Sequence, residues 1–210
     1  PHLAARPDGS LELICGRTGL KDGAYTDRGS LEAIYNKGSW GELTAIGQTG
    51  DWLWRSHWQG PRAWSISYRL PEKRRWSIHL MNRSLQTPWR ELVELPIKGL
   101  PNEATIREFS NGKLYLLLRR EAPGHRGRAL LGSGSLLPQK TDGPRIQWQR
   151  LPWRIGGPNL IEIPEKGLAI AGFRLIRRDS AGRLTGRCLL AQAKIDSKGR
   201  LGTLKLSIEL

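Results

Sequence analysis

The sequence predicts an all-β protein built from about four blade-like sheets of a β-propeller. The first observation is a set of turn glycines that lie 51, 52 and 55 residues apart: Gly9, Gly60, Gly112 and Gly167. Each of these turns leads into a short apolar run, which is the pattern of a strand that follows a tight turn. The second observation is that no stretch keeps apolar residues at helical spacing over three turns. A repeat of about 50 residues with several short strands is typical of a propeller blade.

The repeat divides the 210-residue chain into four blade-like units, which cover residues 1–48, 49–95, 96–152 and 153–205. The first unit begins part-way through the blade pattern, and residues 204–210 form an apolar strand with no evident partner. We therefore expect a single propeller domain that forms an incomplete ring and is truncated at both ends. A β-sandwich is the structural alternative, but it gives no reason for equal spacing.

Composition narrows the class of ligand. The chain carries a formal net charge of +15, and its 34 lysines and arginines are scattered along its length. Such a diffuse positive field favours an acidic ligand. Nucleic-acid-binding proteins usually cluster their basic residues, so a basic polyanion-binding protein is the less favoured alternative. No apolar run approaches the ~18 residues of a membrane-spanning helix. The histidines lie far apart and no CxxC or HExxH spacing occurs, so we expect no metal site and no cofactor.

The second unit opens with an alternating strand at residues 50–58. Strict alternation places its tryptophans on one face and Leu53, Arg55 and His57 on the other. The tryptophan face is expected to pack between blades. The opposite face is polar, so Arg55 and His57 are candidates either for plain surface or for substrate binding in a central cleft.

The third unit contains a predicted hairpin over residues 100–119, with its turn at an Asn-Gly pair. Glu103 opens the first strand and Arg119 ends the second, so we expect the two side chains to be neighbours. A carboxylate beside a guanidinium can form a site for an anionic substrate, although it can equally be a surface ion pair. Arg120 is adjacent, and alternation allows only one of the two arginines to face the cleft.

The fourth unit repeats this layout. Pro-Asn opens a strand in both units, with Asn102 in the third and Asn159 in the fourth, and an arginine ends the neighbouring strand. The pattern predicts that Asn159 and Arg174 are the counterparts of Asn102 and Arg119. All four are therefore candidate substrate-binding residues.

At these positions the chain resembles the sialidase (neuraminidase) superfamily, and more narrowly the bacterial sialidase-like proteins. The resemblance is carried by residues 50–58, by 101–107 with 116–119, and by 155–161 with 171–174. It implies a six-bladed β-propeller, of which about four blades are present, and an exo-α-sialidase that acts on terminal acidic sugars of glycoconjugates. It also implies a sialylated or other acidic glycan as the partner, and a secreted or periplasmic location.

The resemblance further implies roles for three residues. Glu103 matches the catalytic glutamate that polarises the tyrosine nucleophile of the family. Arg119 and Arg174 match two of the arginines that hold the substrate carboxylate. However, the first arginine and the acid/base aspartate of the family have no counterpart, no tyrosine follows Tyr115, and the Asp-box turns are eroded. We therefore expect this chain to lack the nucleophile and the acid/base, and a non-catalytic carbohydrate-binding propeller is the alternative.

Overall fold

The computed structural model describes residues 1–69, 76–135, 145–198 and 200–209. Within these ranges the chain forms strands and two short 3₁₀ helices, and no helix there is long and apolar enough to cross a membrane. The strands make four antiparallel sheets, each formed by strands that follow one another along the chain. The prediction of an all-β chain with four propeller blades is confirmed.

The chain divides into two compact units, each containing two sheets. Unit 1 comprises Pro1–Ile97. Its first sheet contains β1 (His2–Ala5), β2 (Leu11–Lys21), β3 (Ala24–Asn36), β4 (Ser39–Trp40) and β5 (Thr44–Ile46), where β4 and β5 both pair with β3. Its second sheet contains β6 (Asp51–Gln59), β7 (Arg62–Arg69), β8 (Ser77–Ser84) and β9 (Arg90–Leu95).

Unit 2 comprises Lys98–Leu210. Its third sheet contains β10 (Pro101–Glu108), β11 (Leu114–Arg120), β12 (Leu130–Gly134) and β13 (Ile146–Arg150). Its fourth sheet contains β14 (Ile155–Ile163), β15 (Leu168–Arg178), β16 (Leu184–Lys194) and β17 (Lys205–Glu209), so the last strand extends past residue 205. The 3₁₀ helices are Gly124–Gly127 and Pro164–Lys166.

Each unit has its own apolar core. In unit 1, a cluster forms where the second sheet meets β2; its buried members are Ile14, Leu53, Ala63, Met81 and Trp89. In unit 2, the core lies between the third and fourth sheets, and its fully buried members include Tyr115, Leu117, Leu160, Ala169 and Ala171. Burial of each large apolar side chain contributes roughly 1.5–3 kcal/mol, so this packing holds the first strands β10 and β14 against each other.

A β-bulge recurs in the first strand of the second, third and fourth sheets. In each case two residues of the first strand face a single residue of the next strand, and the pairing register shifts by one. In β10 the two residues are Asn102 and Glu103, and the single residue opposite them is Arg119. Bulges redirect side chains, and they often occur near functional sites.

The bulge in β6 overturns the strict alternation expected for residues 50–58. Leu53 and Trp58 were expected on opposite faces, yet both contribute to the same core cluster of unit 1. The register shift between Leu53 and Ser56 adds one residue to β6, so the side chains beyond the bulge exchange faces.

Candidate functional site

The strongest polar constellation of unit 2 starts from Glu103 and Arg119. The hairpin of β10 and β11 brings them together, and Arg119 Nη1 donates a hydrogen bond to Glu103 Oε1 at 2.6 Å. The bulge is the local cause, because it places Glu103 directly opposite Arg119. Both side chains are largely buried, at 12% and 18% exposed, so solvent screens this ion pair less than one on an open surface.

The second oxygen of Glu103 is anchored to the neighbouring sheet. Gly157 donates its backbone N–H to Glu103 Oε2 at 2.7 Å. Gly157 lies in the bulge of β14 and has a φ of +59°, a left-handed conformation that favours glycine. In addition, Asn102 Oδ1 accepts the N–H of Glu103 at 2.7 Å. Thus the carboxylate is held in one orientation by contacts from both sheets of unit 2.

A second carboxylate, Glu121, lies on the other side of Arg119. It pairs with Arg119 Nη2, and its Oε1 accepts a hydrogen bond from Asn102 Nδ2 at 3.3 Å. Arg154 Nη2 lies 3.8 Å from Glu121 Oε2 and donates to the Glu121 backbone oxygen at 3.3 Å. The sequence analysis missed Glu121 and Arg154. A signal for Glu121 existed, because residues two apart on a strand share a face.

Arg174 borders the same site from β15. A Cβ built on Gly156 would lie 3.1 Å from Arg174 Nη2, and one built on Gly157 would lie 3.8 Å from Arg174 Nε. The two glycines therefore leave room for the guanidinium beside the peptide that bonds Glu103. Arg174 is exposed, and within the described part of the chain no carboxylate lies at ion-pair distance from it. We call this group the Glu103 cluster: Asn102, Glu103, Arg119, Glu121, Arg154 and Arg174, with Gly156 and Gly157.

The strand register corrects the predicted equivalence of the third and fourth units. Pro101 pairs with Arg120, and Gly156 pairs with Arg174. Arg174 is therefore the structural counterpart of Arg120, and not of Arg119, because the Pro-Asn pair starts one position before the bulge in β10 but inside it in β14. By the same register, Asn159 corresponds to Ala104 and not to Asn102.

The two asparagines nevertheless share a local contact. Asn159 Oδ1 accepts the N–H of Leu160 at 3.0 Å, just as Asn102 Oδ1 accepts the N–H of Glu103. Only Asn102 also reaches a carboxylate of the Glu103 cluster. Asn159 thus has a demonstrated contact with its own strand.

The structure also distinguishes Arg119 from Arg120. Arg120 is 7% exposed and donates to two backbone oxygens, that of Arg128 at 2.7 Å and that of Lys98 at 3.1 Å. Burial lowers the pKa of the Arg120 guanidinium, and Arg150 adds to the effect. Arg120 therefore ties down the chain on either side of β11, whereas Arg119 joins Glu103.

The remaining predicted site residues, Arg55 and His57, belong to unit 1. Arg55 lies in the bulge of β6, and its Nη1 is 3.1 Å from His2 Nδ1. His57 is opposite Trp64 on β7. The Glu103 cluster is built from unit 2 residues, so these two side chains are not among its contacts described above.

The single tyrosine of unit 2 does not reach Glu103. Tyr115 is fully buried, and its hydroxyl accepts a hydrogen bond from Asn111 Nδ2 at 3.1 Å, at the turn end of the hairpin. Burial raises the pKa of the Tyr115 hydroxyl. A tyrosine nucleophile next to Glu103 is therefore not supplied by unit 2.

Comparison with known proteins identifies the fold. No family model matches the chain, and no curated protein sequence matches it. A solved structure of a protein of unknown function from Dyadobacter fermentans is similar, with a TM-score of 0.67 and 12% identity over 96% of this chain and 73% of that one. The structure of a xylan β-1,4-xylosidase from Bacillus halodurans is also similar, with a TM-score of 0.61 and 18% identity over 92% of this chain.

The chain covers 41% of the xylosidase, so it spans less than half the length of that protein. At these levels of identity the likeness shows the fold: a β-propeller architecture that a glycoside hydrolase also uses. The narrower resemblance to sialidases stays a prediction from the sequence motifs.

Proposed function

We propose that the chain is a glycan-recognising β-propeller of the sialidase-like kind, and that the Glu103 cluster binds an acidic sugar. One observation carries this proposal. Glu103, Arg119 and Arg174, which the sialidase resemblance groups by role, border the same Gly156–Gly157 segment. They come from three different strands, so the proximity is a product of the fold rather than of sequence spacing.

The chemistry of the cluster suits a sugar acid. Arg119 is already paired with Glu103 and Glu121, so its role is to fix both carboxylates. Arg174 is exposed and carries a planar set of donors that matches a carboxylate at two points. The glutamates, held in place, can accept hydrogen bonds from sugar hydroxyls. Three arginines beside two carboxylates leave a positive excess, which favours an anionic ligand over a neutral one.

Hydrolysis is the second candidate function. It is favoured by the shared fold with the xylosidase and by the presence of two carboxylates in the cluster, since most glycosidases use a carboxylate pair. It is disfavoured because both oxygens of Glu103 already accept hydrogen bonds and no tyrosine of unit 2 reaches them. Recognition without turnover therefore fits the described residues better.

The test is a comparison of sialyllactose with lactose by isothermal titration calorimetry on the full chain. We expect binding of sialyllactose only, and a loss of tenfold or more in affinity for Arg174→Ala, because a charge-assisted hydrogen bond contributes about 1.5–3 kcal/mol. The matched control is Arg183→Ala, which removes the same charge from a side chain of unit 2 that is 80% exposed and paired with Asp179. Equal affinity for both sugars, or an unchanged affinity in Arg174→Ala, contradicts the proposal.

A fluorogenic sialoside and a fluorogenic xyloside separate the two candidates. No release of fluorophore above background is expected from either. Release that disappears in Glu103→Gln would establish hydrolysis in place of simple recognition.

A further inference from the structure

Unit 1 contains a second polar cluster, which the proposed function does not use. It lies on the second sheet and draws one or two side chains from each of its four strands. These are Asp51 on β6, Arg69 on β7, Ser77 and His79 on β8, and Glu91 on β9. We call it the His79 cluster.

The centre of the cluster is a linear array of three side chains. Ser77 Oγ lies 2.7 Å from His79 Nε2, and His79 Nδ1 lies 2.9 Å from Glu91 Oε1. Ser77 and His79 are two residues apart on β8, so their side chains leave the strand on the same face. Glu91 reaches the histidine from the adjacent strand, with which β8 pairs. Each ring nitrogen of His79 thus faces a different partner.

The carboxylate end of the array is fixed by two further residues. Glu91 Oε2 accepts a hydrogen bond from Arg69 Nη2 at 2.7 Å, and Arg69 Nε in turn donates to Asp51, which is completely buried. Burial raises the pKa of the Glu91 carboxyl, but its contacts with His79 and Arg69 outweigh this and hold the pKa below its ordinary value. Glu91 is therefore an ionised acceptor with both oxygens engaged.

The other end of the array is accessible. His79 is 2% exposed, whereas Ser77 is half-buried and lies at the beginning of β8. An ionised Glu91 favours the neutral ring that carries its proton on Nδ1, which leaves the Nε2 lone pair to accept the Ser77 hydroxyl proton. A hydroxyl, an imidazole and an orienting carboxylate in this order form the arrangement that activates a serine nucleophile.

We propose that Ser77, His79 and Glu91 form a nucleophilic centre that reacts with acyl esters. Ser77 Oγ bonds to the acyl carbon while its proton passes to His79 Nε2. The ester C–O bond breaks, and the leaving alkoxide takes that proton. Water then attacks the acyl-serine, gives its proton to the same nitrogen, and releases the carboxylic acid as Ser77 recovers its hydrogen. Glu91 stabilises the imidazolium formed in each half of the reaction.

The test uses a biotinylated alkyl fluorophosphonate on the full 210-residue chain. The serine oxygen bonds to phosphorus, fluoride leaves, and the serine proton passes to the histidine, so the adduct records an activated hydroxyl without requiring a known ester. We expect peptide mass spectrometry to place one adduct on Ser77. The labelling rate should fall by about 10²–10⁴-fold in His79→Gln, the usual size of a general-base contribution, and should also fall in Glu91→Gln.

The matched control is Ser84→Ala. Ser84 ends the same strand and is also half-buried, but its hydroxyl lies 3.0 Å from Thr87 Oγ1. Its removal should leave the labelling rate unchanged. No adduct on wild-type Ser77, or equal labelling of wild type and a folded His79→Gln, overturns the proposal and leaves the His79 cluster as a structural network. Mapping the adduct on the wild type needs no variant to fold, and its outcome is independent of acidic-sugar binding by unit 2.

Discussion

A buried pair of carboxyl groups in unit 1 should make its stability depend on pH. Glu12 on β2 is completely buried, and Glu32 lies on the adjacent strand β3. Trp58 Nε1 donates to Glu12 Oε2 at 3.1 Å, and Arg83 Nη1 lies 3.5 Å from Glu12 Oε1 while pairing with Glu32. One guanidinium therefore faces two acids that are largely shielded from water.

The two carboxyl groups shift in opposite directions. Burial, followed by the hydrogen bond with Glu32, raises the pKa of Glu12 from 4.5 to about 7. Burial also raises the pKa of Glu32, but its hydrogen bonds with Glu12 and Arg83 outweigh this, and the net effect lowers it. The folded state thus holds one protonated and one ionised carboxyl group near pH 6.

The sign of the Glu12 effect follows from proton linkage. Between pH 4.5 and 7 the folded state binds more protons at Glu12 than the unfolded state, so the unfolding free energy falls as the pH rises through that window. At about 1.4 kcal/mol for each pKa unit, the full effect is about 3 kcal/mol. The Glu32 contribution has the opposite sign and is lost below its ordinary pKa of 4.5, outside this window.

The assay is urea unfolding of the wild type and Glu12→Gln at pH 5 and pH 8. The wild type should lose about 2.5 kcal/mol more unfolding free energy between these two values than the variant, because glutamine does not titrate. Glu42→Gln serves as the control, since Glu42 is exposed. A Glu12→Gln variant with the pH profile of the wild type would refute the reasoning.

Two further predictions concern packing in unit 2. Gly156→Ala should weaken sialyllactose binding several-fold in calorimetry, because the added Cβ would lie 3.1 Å from Arg174 Nη2 and displace it; unchanged affinity would show that the guanidinium position is unimportant. Leu117→Ala should lower the unfolding free energy by about 2–5 kcal/mol in urea, because Leu117 is completely buried. The matched change at Leu184, which is 60% exposed, should alter it by about 0.5 kcal/mol or less, and equal losses would contradict this core assignment.

Some of the architecture was predictable from the sequence because it depends on local chemistry. Turn glycines recur where a chain must reverse, so the spacing of Gly9, Gly60, Gly112 and Gly167 indicated four sheets. The Asn-Gly turn fixed the hairpin register closely enough to place Glu103 beside Arg119. Both inferences use signals contained within a few residues or within a single hairpin.

The bulges were not predictable in the same way. One extra residue in β6 moves Trp58 onto the face of Leu53, and the sequence carries no mark of its position. The same irregularity makes Arg174 the counterpart of Arg120, although the Pro-Asn pattern suggested Arg119. The pairing of neighbouring strands decides such registers, and it depends on tertiary packing.

Contacts between strands or sheets were also hidden. Gly157 donates to Glu103 across 54 residues of sequence, and Arg154 reaches Glu121 from the segment before β14. Ser77 and His79 have the spacing of one strand face, but the role of the pair becomes visible only when β9 brings Glu91 alongside. Each of these arrangements requires the sheet register to be known first.

The most direct test of the acidic-sugar site is its location in solution. Titration of the ¹⁵N-labelled chain with sialyllactose should shift the amide resonance of Gly157, since its N–H donates to Glu103, together with those of Gly156 and Arg119, and the shifts should saturate. Lactose should leave these resonances in place. Saturable shifts confined to other parts of the chain, or none at all at millimolar sugar, would contradict the assignment of the Glu103 cluster as the binding site.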